Sequence, residues 1–128
     1  MIVRVWRARL NPARLEAYRC FERERCLPML RKQPGVLGVL FLRGTEAHAV
    51  SITFWETSVA LEALESSPSY RKTTRELAES GLLAGAPSTE ILDAAIGELR
   101  VEALAGTLER AWSSGALGTH PQRVPERG

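Results

Sequence analysis

The sequence predicts an α+β fold of order strand, helix, strand, strand, helix, strand, followed by one extra helix. Three observations lead there. Strand-like apolar patterning recurs at 2–10, 36–42, 50–54 and 89–96, and helical spacing fills the two long intervals between these segments. Cap and turn residues, Asn11-Pro12, Pro34-Gly35, Thr57, Ser67-Pro68 and Gly81, stand at the boundaries.

The first strand, Ile2 to Leu10, has Val3 and Val5 on one side and Ile2, Trp6, Ala8 and Leu10 on the other, so both faces should be covered at least in part. Asn11 caps the helix that Pro12 opens, since proline at the first helical position gives up no needed hydrogen bond. In that helix Ala13, Ala17, Cys20, Phe21 and Leu27 fall on one side, and Leu15, Tyr18 and Met29 on another. Pro28 cannot donate to the carbonyl of Glu24, so the helix should kink or thin near its end. Val36 to Leu42 is apolar on both parities and reads as a central strand, with Gly38 marking a bulge or a close backbone approach. Arg43 to Ala47 is a hairpin connection.

Val50, Ile52 and Phe54 then alternate with Ala49, Ser51 and Thr53, and the strand ends at Trp55. Thr57 or Ser58 caps a helix carrying Val59, Ala60, Leu61, Ala63 and Leu64, and Ser67-Pro68 starts another with a stripe of Tyr70, Thr74, Leu77 and Ala78. Gly81 suits its C-terminal end. Thr89 to Ile96 is the last strand, centred on Ile91 and Leu92. Two strand-helix-strand halves joined by a hairpin make the ferredoxin-like βαββαβ arrangement with a four-stranded antiparallel sheet.

A chain of 128 residues, 45% hydrophobic and 25% charged, is one domain with an appendage. The expected division is residues 1–97 for the domain, 98–114 for a C-terminal amphipathic helix carrying Val101, Leu104, Leu108 and Trp112, and 115–128 for an extended or mobile tail. No apolar run reaches membrane-spanning length, and the start is already a strand rather than a signal peptide, which reads as a cytoplasmic chain. The net charge is +2, and the arginines are scattered among glutamates, so neither a nucleic-acid groove nor a membrane surface is expected. Cys20 and Cys26 stand roughly 9 Å apart along a helix axis, beyond disulfide reach. Without a histidine pair they also make no zinc site, and they read as packed, reduced thiols.

The opening Met1-Ile2-Val3-Arg4-Val5-Trp6-Arg7, Leu27-Pro28, Gln33-Pro34-Gly35-Val36-Leu37-Gly38, Phe54-Trp55-Glu56 and Ser67-Pro68-Ser69-Tyr70-Arg71 carry a resemblance across residues 1 to 96. On them the chain resembles the antibiotic biosynthesis monooxygenase-like family of the dimeric α+β barrel superfamily. The resemblance implies two helices on one sheet face and a homodimer whose two sheets close into a barrel. A symmetric partner is also the economical cover for an apolar face without helices. Family members include cofactor-independent oxygenases, haem-degrading oxygenases and proteins without an assigned activity, and fold alone does not choose among them.

The haem-degrading pattern, an asparagine, a tryptophan and an iron-ligating histidine, falls on Trp6, Leu64 and Thr74, and none matches. The resemblance then implies a cofactor-independent oxygenase with no cofactor and no metal, in which an apolar cavity desolvates a small aromatic or quinone-like molecule whose anion reacts with oxygen. The candidate substrate-binding residues are Trp6, Tyr18 and Trp55, which offer stacking faces. The candidate catalytic residues are His48, the one histidine inside the expected fold and able to titrate near neutrality, and Tyr70. Against these stand plainer roles: Trp55 as core packing, His48 as a surface residue beside a turn, Tyr70 as a rim residue. The competing reading is a non-enzymatic small-molecule-binding or accessory protein of the same fold. His120 falls in the expected tail, and neither phosphate loops nor nucleophile elbows occur.

Overall fold

A computed structural model describes residues 1–113 of the chain, as two compact units, Met1–Ala95 and a second beginning at Ile96. The tail expected at 115–128, with His120, lies outside the described residues.

The first unit contains strands β1 (Ile2–Arg9), β2 (Val36–Arg43), β3 (His48–Trp55) and β4 (Ser88–Asp93) in one antiparallel sheet of order β2-β3-β1-β4. Its helices are α1 (Leu15–Phe21), α2 (Leu27–Arg31), α3 (Ser58–Ser66) and α4 (Pro68–Glu79). The order is the ferredoxin-like one. Three caps form at the expected residues: Asn11 accepts from the Ala13 amide, Thr57 from Ala60, and Ser67 from Tyr70. Gly81, at φ +79°, ends α4 in the left-handed region open to glycine.

Several details depart from the sequence reading, while the irregularity expected at Gly38 is present. β2 is an edge strand, not a central one, because β3 takes β1 as its second neighbour. Its apolar residues on both parities reflect a sheet apolar on both faces. A register shift between Val36 and Gly38 supplies the bulge, and Phe54 packs so close to Gly38 that a Cβ there would sit 3.2 Å from its ring. β4 stops at Asp93, short of Ile96, because its partner β1 has run out. Ala94 makes a last bond to the Met1 carbonyl, and Ile96 is fully exposed.

The first helical segment is also not one helix. A 3-10 turn (Pro12–Arg14) leads into α1, and a π-helical turn (Glu22–Cys26) joins α1 to α2. The Leu27 amide reaches back five residues to the Glu22 carbonyl. Pro28, which has no amide hydrogen for the Glu24 carbonyl, accounts for the break. The inward line is Tyr18, Glu22 and Leu30, while Ala13 and Leu15 are exposed. Likewise α4 buries Thr73 and Leu77 and leaves Ala78 exposed.

Helices and one sheet face enclose two apolar clusters, one around Leu10, Tyr18, Ala49, Leu77 and Leu82, the other around Leu30, Trp55, Leu61 and Leu64. The strand residues in or against them, including Ile2, Trp6, Val39, Phe41, Ala49 and Trp55, all belong to that face. The opposite face carries Val3, Val5, Leu40, Leu42, Val50, Ile52, Phe54 and Leu92, none of which enters either cluster.

In the second unit, α5 (Val101–Ser113) is amphipathic by sequence, and Val101, Leu104 and Leu108 are exposed. No helix among the described residues is long and apolar enough to cross a membrane.

Candidate functional site

The helix-facing side of the sheet carries a cleft of about 60 Å³ between β1, β3 and α4. Strand alternation builds its floor. Arg4 and Trp6 share the parity of Ala8 and Leu10 on β1, and Ser51 and Thr53 share that of Ala49 and Trp55 on β3. Tyr70, Thr73, Thr74 and Leu77 of α4, spaced by three and four, form the opposite wall. Tyr18 and Cys26 close it from the first helical segment.

Arg4 dominates the electrostatics of this cleft. It is 7% exposed, one guanidinium nitrogen donates to the Tyr70 hydroxyl at 2.6 Å, and the guanidinium stands over the Tyr70 ring at 5.5 Å. Its cross-strand neighbours are Thr53 and Ile91, neither of them acidic. Among the described residues no carboxylate lies within ion-pair distance of it, and its Nε is buried without a hydrogen-bond partner.

A second polar cluster lies behind Tyr18. Both Glu22 carboxylate oxygens accept from Arg43 at the end of β2, one of them at 3.2 Å, and the Arg43 guanidinium covers the Tyr18 ring at 5.1 Å. Burial pushes the Glu22 carboxyl above its ordinary range, against the pull of Arg43 and Tyr18. Burial, reinforced by the Glu22 charge, likewise raises the Tyr18 phenol and holds it neutral. The Cys26 thiol is pushed up to about 12, first by burial and then by Glu22, which makes it inert.

Three of the five sequence candidates, Trp6, Tyr18 and Tyr70, meet at the cleft, and two do not. Trp55 is wholly buried in the core, its indole N–H donating to the Thr53 hydroxyl at 2.7 Å. It does not line the cleft, although Thr53 and Leu30, which it bonds to and packs with, do. His48 is exposed at the first residue of β3, where its backbone closes the hairpin with Gly44 and Thr45. It pairs with Arg9 at the far end of β1, away from the level of Arg4. Leu64 is buried in the core, and the Thr74 hydroxyl, on the cleft wall, donates to the Arg71 carbonyl. Sequence reasoning missed Arg4 and Thr53. Parity could have found Arg4, since it shares a side of β1 with Trp6, Ala8 and Leu10. No group of three or more His, Cys, Asp or Glu able to hold a metal occurs among the described residues.

No family model matches the chain, and no curated protein does. Solved structures do share its fold. An antibiotic biosynthesis monooxygenase superposes with a TM-score of 0.63 at 15% identity, covering 75% of this chain and 100% of that one. Rv0793 from Mycobacterium tuberculosis gives 0.65 at 17% identity, over 77% of this chain and 98% of that one. A candidate antibiotic biosynthesis monooxygenase from Caulobacter crescentus gives 0.64 at 21% identity, over 74% and 90%. The chain is therefore similar in fold to structures that carry this name.

Proposed function

We propose that this chain is a cofactor-independent, monooxygenase-like protein that acts on a small aromatic or quinone-like molecule in the cleft beside Arg4 and Tyr70. The carrying observation is the Arg4–Tyr70 pair, a buried cation and a hydroxyl set in an apolar, aromatic-lined cleft. Arg4 and Tyr70 are placed to hold a substrate oxygen while negative charge grows on it, the favourable use of fixed donors in a dry site. Loss of a phenolic proton to water leaves an anion whose charge is shared between that oxygen and a ring C–H carbon. Dioxygen adds to the carbon, and the hydroperoxide loses water to leave a second carbonyl, so that a phenol and O2 become a quinone and H2O. The protein's part is to bind, desolvate and stabilise the anion.

The sheet face opposite α1–α4 supports a homodimer: Leu40, Val50, Ile52 and Phe54 make it apolar and are only half-buried, and a second copy would bury them. A second reading, a non-enzymatic small-molecule-binding or accessory protein, is favoured by one observation. Neither a carboxylate nor an imidazole lies among the described residues on the cleft wall.

Oxygen uptake with a panel of hydroquinones and naphthols tests the choice. Turnover is expected in the wild type and in His48→Ala, with a loss of about 10- to 100-fold in Arg4→Met and a smaller one in Tyr70→Phe. Uptake no faster than buffer would leave the binding protein.

A further inference from the structure

We propose that the cleft takes its ligand as a monoanion, an apolar molecule bearing one oxyanion (phenolate, enolate or carboxylate) that docks on the Arg4 guanidinium. This rests on the reading of the cleft as a small-molecule site and narrows what enters it.

The argument begins with charge. Arg7, Arg19, Arg23, Arg25 and Arg43 each reach a glutamate from more exposed positions. Arg4 is the buried one, and it reaches none. A guanidinium carries five N–H donors and keeps its charge at any physiological pH. Here its side-chain hydrogen bond goes to the Tyr70 hydroxyl, and the Nε–H, shut off from solvent, has no acceptor. A water molecule in the cleft could accept that hydrogen, but it could not balance the charge. Buried charges are ordinarily paired.

The remaining ionisable groups on the wall do not supply the missing charge. Burial keeps Tyr18 protonated and holds Cys26 as a thiol. Glu22, behind Tyr18, is already engaged on both oxygens by Arg43. The described wall thus carries one formal positive charge within an otherwise apolar and hydroxyl-bearing surface. An oxyanion on an aromatic body matches both properties, and a neutral ring matches one.

Two probes of equal shape and different charge test this on the full chain. Calorimetric titration should show benzoate binding at least about tenfold more tightly than benzamide. Arg4→Met should erase the preference, and Arg4→Lys should retain part of it, with far-UV circular dichroism confirming the fold of each. Should Arg4→Met fail to fold, 4-nitrophenol reads the same property on the wild type. Its visible phenolate band should show an apparent pKa lowered by about 1 unit on binding, and the two probes together separate a carboxylate site from a phenolate site. Benzamide binding as tightly as benzoate together with an unshifted 4-nitrophenol, a preference that survives Arg4→Met, or no uptake of any probe would overturn the proposal. Failure of the oxygenase reading looks different: benzoate would bind through Arg4 while hydroquinones and naphthols consumed no oxygen. Turnover without any preference for the anion would instead remove this inference and leave the oxygenase.

Discussion

Arg4 faces the cleft and Trp55 fills the core, although both stand on the helix-facing side of the sheet. The reason is geometric. Alternation in β1 and β3 sends both toward the helices, and what lies opposite each then decides between cleft and core. Trp55 packs with Leu30, Leu61 and Leu64 and satisfies its indole N–H on Thr53. Trp55→Ala should therefore lose about 3–5 kcal/mol of stability, and Trp55→Phe less, in denaturant titrations. His48→Ala, at an exposed strand end, should stay within about 0.5 kcal/mol of the wild type. Cys26, with its thiol pushed up to about 12, should react with a disulfide reagent at pH 8 far more slowly than an unhindered thiol, as mass spectrometry of the labelled peptides would show. Residue type alone made Trp6, Tyr18 and Tyr70 legible as cleft residues. It misplaced His48 and passed over Arg4, because an arginine in a strand usually points to water and only its shared parity with Trp6, Ala8 and Leu10 indicated otherwise.

Boundaries between elements were the most legible features, because Asn11, Thr57, Ser67 and Gly81 act through local bonds that need no tertiary context. The face of the first helical segment was not, because the π-helical turn adds a residue to one turn and shifts the phase of everything after it. Tyr18 and Leu30 both point inward across that shift, which no single helical period describes. Glu22, inside the turn, makes the segment sensitive to pH. Its folded-state pKa is raised, so the stabilisation it contributes is present in full below the unfolded-state value and is lost as pH rises through the folded-state value. On acidification from pH 7 the melting temperature of the wild type should therefore rise relative to that of Glu22→Gln. A parallel fall of both would contradict the raised pKa. Gly35 offers a second test. It has φ +81°, and a Cβ there would stand 2.5 Å from that of Ala60 on α3, so Gly35→Ala should cost about 1–3 kcal/mol and loosen α3 against β2.

Across the first unit the sheet is apolar on both faces, and on β3 the side under α1–α4 is the less apolar one. There Ala49, Thr53 and Trp55 are buried, while Val50, Ile52 and Phe54 face away from α1–α4 and are only half-buried. That inversion explains why the fold class was readable while the neighbours of β2 were not, since two apolar faces give any strand the look of a central one. It also supplies the test of the homodimer. Light scattering should give twice the chain mass at micromolar concentration, and Ile52→Glu should shift the population to monomer; a wild-type monomer would contradict the barrel. Two tryptophans are divided on the same scale, Trp6 on the cleft and Trp55 in the core. Their emission therefore divides by location. A dry, hydrogen-bonded indole at Trp55 should fluoresce to the blue and follow global unfolding, while Trp6 should be quenched when the cleft fills. Single-tryptophan variants would turn the protein into its own two-channel optical probe, with no label added.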